Sequence, residues 1–65
     1  MDNFGQRLKN ERERLGLTQK ELAEAVSISY VTQSNYETGK RKPDTKYIAS
    51  IATIGFDLKY LFTDT

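Results

Sequence analysis

The sequence predicts a compact all-α domain of five short helices, and three observations carry that expectation. Thr18-Gln19-Lys20-Glu21 is a capping-box signature, in which the threonine and the glutamate satisfy each other's free backbone N–H groups at a helix start. Gly16, Gly39 and Gly55, with the lone Pro43, cut the chain into helix-sized pieces, whereas Gly5 falls inside a first helical turn and divides nothing. Tyr47, Ile48, Ile51 and Ala52 recur at the spacing of one helix face. The one β-branched and aromatic cluster, Ile28 to Thr32, is too short for a strand and is bracketed by helix caps.

The first helix is expected to begin after Asn3, a good N-cap, and to run to Leu15, with Gly16 in the left-handed conformation that ends helices. Phe4, Leu8 and Leu15 form its buried stripe. The second starts at the capping box and turns Leu22, Ala23 and Val26 inward. After a tight turn at Ser27-Ile28, Ser29 caps a third helix from Tyr30 to Thr38, ended by Gly39. Pro43 prevents that helix from continuing, so a fourth begins near Asp44 or Thr45 and ends at Gly55. Asp57 caps a last short helix through Phe62. The expected core is Leu8, Leu22, Val26, Ile28, Tyr36, Ile48, Ile51 and Leu61.

Size and composition narrow the function. The 65 residues form one domain, 1–65. A core this small supports only about 3–5 kcal/mol of stability without staples. With no cysteine and no histidine, disulfides, thiolate metal sites and the commonest general base are all excluded. An enzyme, a metal site, a cofactor and a small-molecule ligand are therefore not expected. No apolar run approaches bilayer length, and Met1-Asp2-Asn3 is not the opening of a signal peptide, so a cytoplasmic protein without a membrane partner is expected.

Net charge is only +1, but its distribution is uneven. Residues 39–46 carry Lys40, Arg41, Lys42 and Lys46 against Asp44, whereas residues 18–38 carry Lys20 against Glu21, Glu24 and Glu37. A local basic patch on a near-neutral chain suits phosphate contact, although a basic run taken alone reads first as a solvated loop. Its position relative to the motif decides between these.

Residues 19–38 read as two short helices joined by a tight turn. Around them, Arg12-Glu13-Arg14-Leu15-Gly16-Leu17-Thr18-Gln19, Leu22-Ala23 and Tyr36-Glu37-Thr38-Gly39-Lys40-Arg41-Lys42-Pro43 resemble the phage repressor and Cro-like (XRE-type) helix-turn-helix regulators, over essentially the whole chain. Thr32-Gln33-Ser34-Asn35-Tyr36-Glu37-Thr38-Gly39 also matches a prophage-type pattern with Thr-Gln-x-Asn-Tyr-Glu-x-Gly. The resemblance implies a five-helix, repressor-like DNA-binding domain that lays its third helix in the major groove of a double-stranded operator.

On that resemblance, Tyr30, Val31, Ser34 and Asn35 are the base-reading residues. Asn35 suits a bidentate pair with adenine and Val31 a thymine methyl. Gln19, Ser29, Thr38, Lys40, Arg41 and Lys42 are the expected phosphate contacts, a plain exposed side chain being the competing reading for Gln19. Arg12 and Glu37 match positions that pair in similar repressors, and two solvated charges are the competing reading. Two positions depart from the family pattern: Ser27 stands where glycine is usual, at a cost of roughly 1 kcal/mol if its conformation is left-handed, and Gln33 stands where Ile or Val is usual. The apolar C-terminal residues Phe56, Leu58, Tyr60 and Phe62 exceed what so small a chain buries, and suggest a homodimer interface beside the operator dyad. The implied function is a transcriptional repressor of phage type on a palindromic operator. The alternatives are an antitoxin-type helix-turn-helix protein and the N-terminal DNA-binding domain of a longer repressor.

Overall fold

Helix starts and stops in this chain are made by local side-chain chemistry, and they follow the sequence closely. The computed structural model describes residues 4–63. Its helices are α1 (Phe4–Arg14), α2 (Gln19–Ala25), α3 (Tyr30–Thr38), α4 (Thr45–Ile54) and α5 (Leu58–Phe62), with no strand among the described residues. The expected Asn3 cap lies outside the described residues. Thr18 Oγ1 accepts the Glu21 N–H at 3.0 Å while Glu21 Oε1 accepts the Thr18 N–H at 2.8 Å, which completes the capping box. Ser29, Asp44 and Asp57 cap α3, α4 and α5 by accepting from Thr32, Tyr47 and Tyr60. Each such cap contributes about 1 kcal/mol.

Four of the helices end in one way. Gly16 (φ 76°), Ser27 (φ 60°), Gly39 (φ 82°) and Gly55 (φ 113°) all take the left-handed conformation. The next residue then bonds back across the turn: Leu17 to Arg12 O (3.1 Å), Ile28 to Ala23 O (3.0 Å), Lys40 to Asn35 O (3.0 Å) and Phe56 to Ile51 O (3.2 Å). Ser27 alone among the four carries a Cβ, so the turn between α2 and α3 has the expected geometry and carries its strain.

The core joins Leu8, Leu22, Tyr36, Tyr47, Ile51, Phe56 and Leu61, from every helix and from the α4–α5 turn. Val26, Ile28 and Ile48, expected in the core, are only partly buried, while Tyr47 and Phe56 are more deeply buried than the expected list allows. Two further expectations are corrected. Leu15 lies in the turn after α1, because Gly16 draws the exit one residue earlier. Ala52 is exposed, because the α4 stripe is completed by Ile48 and Ile54 and leaves Ala52 on the outer face.

The helix α3 packs against both α2 and α1, and α1 in turn holds α5. That last contact is electrostatic at both ends of the short helix. Glu11 Oε1 accepts the Asp57 N–H at 2.9 Å at the start of α5. One turn back along α1, Arg7 donates to the Tyr60 carbonyl at 2.7 Å and to the Thr63 carbonyl at its end. An anion at the N-terminus and a cation at the C-terminus oppose the helix dipole favourably, which compensates for a helix too short to be stable alone. Arg14 holds Glu11 bidentately at 2.9 and 2.8 Å, and this guanidinium, more than the cost of burial, keeps the Glu11 carboxyl below its ordinary range.

Candidate nucleic-acid interface

The helix pair α2–α3 is built around Ala23, which is 2% exposed where the two helices meet. A small side chain there lets the backbones approach. With its inner face so fixed, α3 turns Tyr30 (55% exposed) and Val31 (61%) outward in its first turn, and these are two large apolar side chains left in water. Ser34 and Asn35 follow on the same side and are half-buried. Among the described residues the side chains of Tyr30, Ser34 and Asn35 make no hydrogen bond of their own, so their side-chain polar groups are available to a partner.

The expected phosphate-contacting residues differ from one another in their state. Lys40, Arg41 and Lys42 are exposed, and among the described residues none of them is in an ion pair. Their backbone is held close to α3, since the Lys40 and Arg41 N–H groups both reach the Asn35 carbonyl, at 3.0 and 3.3 Å. The basic run thus follows directly on α3. Ser29 is occupied as the α3 cap and shares a 2.8 Å hydroxyl contact with Thr32. Thr38 donates back to the Ser34 carbonyl at 3.1 Å. Gln19 is half-buried and donates from Nε2 to Glu37 Oε1 at 3.0 Å.

Glu37 is the centre of a polar network under this face. Arg12 donates from Nε to Oε2 at 2.7 Å and from Nη2 to Oε1 at 3.2 Å, Gln33 to Oε2 at 2.8 Å, and Gln19 to Oε1. Each carboxylate oxygen takes two donors, which fills its acceptor sites. Burial raises the Glu37 pKa, but Arg12 foremost, then Gln19 and Gln33, outweigh it and hold the group below its ordinary value. The ion pair is nearly dry, with side-chain exposures of 9% for Arg12 and 3% for Glu37. Arg12 also donates to the Leu17 carbonyl at 2.8 Å, tying the α1–α2 turn to the same hub.

Gln33 is fully buried (0% exposed), and besides reaching Glu37 it accepts from the Tyr47 hydroxyl at 2.6 Å. The direction of this chain is fixed: a carboxylate only accepts, so the Gln33 amide nitrogen faces Glu37, its oxygen faces Tyr47, and the phenol donates. Burial above all, with the nearby Glu37 and Tyr36, pushes the Tyr47 phenol well above its ordinary pKa and keeps it a donor. The sequence marks Gln33 as a departure from the general family pattern, shared with the prophage-type pattern, its amide either hydrogen-bonded in a semi-buried site or accompanied by a slight rotation of the helix, and gives Tyr47 only as part of the α4 face. Their separation within the apolar stripe of α4 and the inner face of α3 left no local signal, beyond an amide standing at an apolar position.

The C-terminal residues divide. Phe56 is 5% exposed and belongs to the core, so its place in a dimer surface is withdrawn: the Gly55 turn directs it inward. Leu58 and Tyr60 are half-buried, with Tyr60 under the Arg7 guanidinium at 5.3 Å and its hydroxyl taking a bond from Asn10 at 2.9 Å. Phe62 stays 61% exposed, its ring 5.2 Å from that of Phe4. Among the described residues no helix is long and apolar enough to cross a membrane.

Comparison with known proteins agrees with this geometry. Residues 3–54 match the family described as "Helix-turn-helix domain". Over 52 residues, 80% of this chain, the sequence is 40% identical to the HTH-type transcriptional regulator ImmR of Bacillus subtilis (strain 168), and the matched stretch spans 41% of that protein's length. With α2 and α3 joined by the left-handed turn at Ser27 and the family match covering most of its length, the chain belongs to the helix-turn-helix domain family, of the Cro-like (XRE) type.

Proposed function

We propose that the chain is the DNA-binding domain of a sequence-specific transcriptional regulator, acting in the bacterial cytoplasm. The observation that carries this reading is the outward face of α3, where exposed Tyr30 and Val31 and the side chains of Ser34 and Asn35, which make no hydrogen bond of their own, run directly into Lys40-Arg41-Lys42. Exposed apolar side chains cost solubility without a partner, and a base edge with its thymine methyls supplies both the apolar and the polar contacts that this face offers. Val31 and Asn35 read bases, with Tyr30 and Ser34 beside them. Lys40, Arg41 and Lys42 neutralise phosphates, and Gln19, Ser29 and Thr38 border the same groove. One such helix covers only a few base pairs, so two copies on a palindromic operator, joined near Leu58, Tyr60 and Phe62, supply the remaining specificity, and occupancy of a promoter represses it.

The test is selection of duplexes from a pool randomised over roughly 20 base pairs, two helical turns. Enrichment of a two-fold symmetric sequence, with binding lost on changing its conserved positions, is expected. Enrichment of nothing above the starting pool would overturn the reading. A second reading, the same DNA-binding role within a longer regulator, is favoured by the match to less than half of ImmR.

A further inference from the structure

We infer that Gln33 and Tyr47 are positioning residues that set the rotation of α3 about its axis, and so decide which bases its outer face reads. The inference rests on the DNA-binding reading above. On its inner face α3 presents Gln33 and Glu37, one helical turn apart, and these take bonds from three other helices: Arg12 of α1, Gln19 of α2 and Tyr47 of α4. The remaining inward contacts of α3 are the backbone of Glu37 against Gly5, at the C-terminal end of the helix, and apolar or aromatic packing, such as the Tyr36 ring at 4.6 Å from that of Tyr47, whose contacts tolerate sliding. Hydrogen bonds do not, because they weaken steeply with misalignment.

Within this network the Arg12–Glu37 pair ties down the C-terminal half of α3. Farther up, between the base-reading pairs Tyr30–Val31 and Ser34–Asn35, the Tyr47–Gln33 bond is, among the described residues, the one side-chain hydrogen bond from another helix that anchors α3. Gln33 has no freedom there, since its amide is used at both ends and is wholly buried. A rotation of about 10° moves a side-chain tip, 5–6 Å from the helix axis, by nearly 1 Å. That displacement exceeds the 2.7–3.2 Å window of a good hydrogen bond, so it suffices to misplace the Asn35 amide on an adenine edge.

The test uses the paired substitution Gln33→Met with Tyr47→Phe, which removes both ends of the bond at nearly constant volume and leaves no orphaned group between them. Binding is measured by fluorescence anisotropy on the duplex selected by the unaltered protein and on a scrambled duplex of the same composition. The preference for the selected over the scrambled duplex is expected to fall by about tenfold, the scale of one lost base contact, with scrambled-duplex affinity and its salt dependence unchanged. A residue with a merely structural role would lower the folded fraction, which scales both affinities equally and leaves their ratio intact. An unchanged ratio in a folded paired variant overturns the inference. If the paired variant does not melt cooperatively, Tyr47→Phe alone is read in the same way, with a smaller loss of preference expected and an unchanged ratio again overturning the inference. Asn35→Ala separates the two levels: if it leaves the preference intact, the reading of α3 as the base-contacting helix has failed, and the positioning role fails with it.

Discussion

Gly5 in α1 lies directly against the backbone of Glu37 in α3, so closely that a Cβ at position 5 would stand 2.8 Å from the Glu37 carbonyl carbon and 3.1 Å from the Tyr36 oxygen. Helix propensity alone makes Gly5→Ala stabilising by about 1 kcal/mol. The clash is with backbone, which cannot swing aside, and forcing the helices apart costs about 1–3 kcal/mol. Gly5→Ala is therefore expected to lower the melting temperature by several degrees. A rise would show that α1 and α3 are less tightly apposed.

At Ser27 the opposite sign is expected. Its φ of 60° is the one left-handed non-glycine conformation among the described residues. Ser27→Gly relieves about 1 kcal/mol of strain, partly offset by the freedom that glycine gains in the unfolded chain. Thermal melts should place the variant a few degrees above the unaltered protein, and a lower midpoint would contradict the turn geometry.

The Glu37 carboxyl has its pKa lowered in the fold from an ordinary 4.5, so its contribution is complete above that value and is lost as pH falls through the lower folded one. Glu11 is shifted in the same direction. Chemical denaturation should show stability level from pH 7 to about pH 5 and falling below it. Glu37→Gln leaves the Arg12 guanidinium nearly buried without a counter-charge, which costs about 3–5 kcal/mol. That is comparable to the whole stability of a domain this size, so the variant should be largely unfolded at neutral pH. A variant that melts normally would mean that water reaches Arg12.

On DNA, Lys40→Ala and Arg41→Ala should each weaken binding to every sequence alike and reduce the slope of log K against log salt by about one. Asn35→Ala should instead cost about 1–3 kcal/mol on the selected duplex alone. Titrations at several salt concentrations distinguish the two patterns, and a uniform loss for Asn35→Ala would place the reading face one position away.

Symmetric binding of two copies sets half-site centres about one helical turn, roughly 34 Å, apart. Inserting about five base pairs between half-sites turns the second site to the opposite face of the duplex, and cooperativity should vanish. Phe62→Ser should weaken the same cooperativity without altering half-site affinity. Binding indifferent to the insertion would mean that one copy acts alone.

Helix limits were legible because the groups that set them lie within a few residues of one another. Thr18 with Glu21, Ser29 with Thr32 and Asp57 with Tyr60 need no knowledge of the rest of the chain, and neither do the left-handed exits at Gly39 and Ser27. The outward residues of α3 were legible for a related reason: once the inner face is assigned, helical geometry leaves Tyr30 and Val31 outside. Tertiary structure alone decided the remainder. Phe56 precedes α5 and Phe62 ends it, and the direction of the Gly55 turn sends the first to the core while the second stays in water. Arg12 and Glu37 stand 25 residues apart, and Glu11 and the Asp57 amide 46 apart. Whether such groups pair or face solvent depends on how three or four helices converge, and the burial that makes a pairing obligatory does not exist until they have done so.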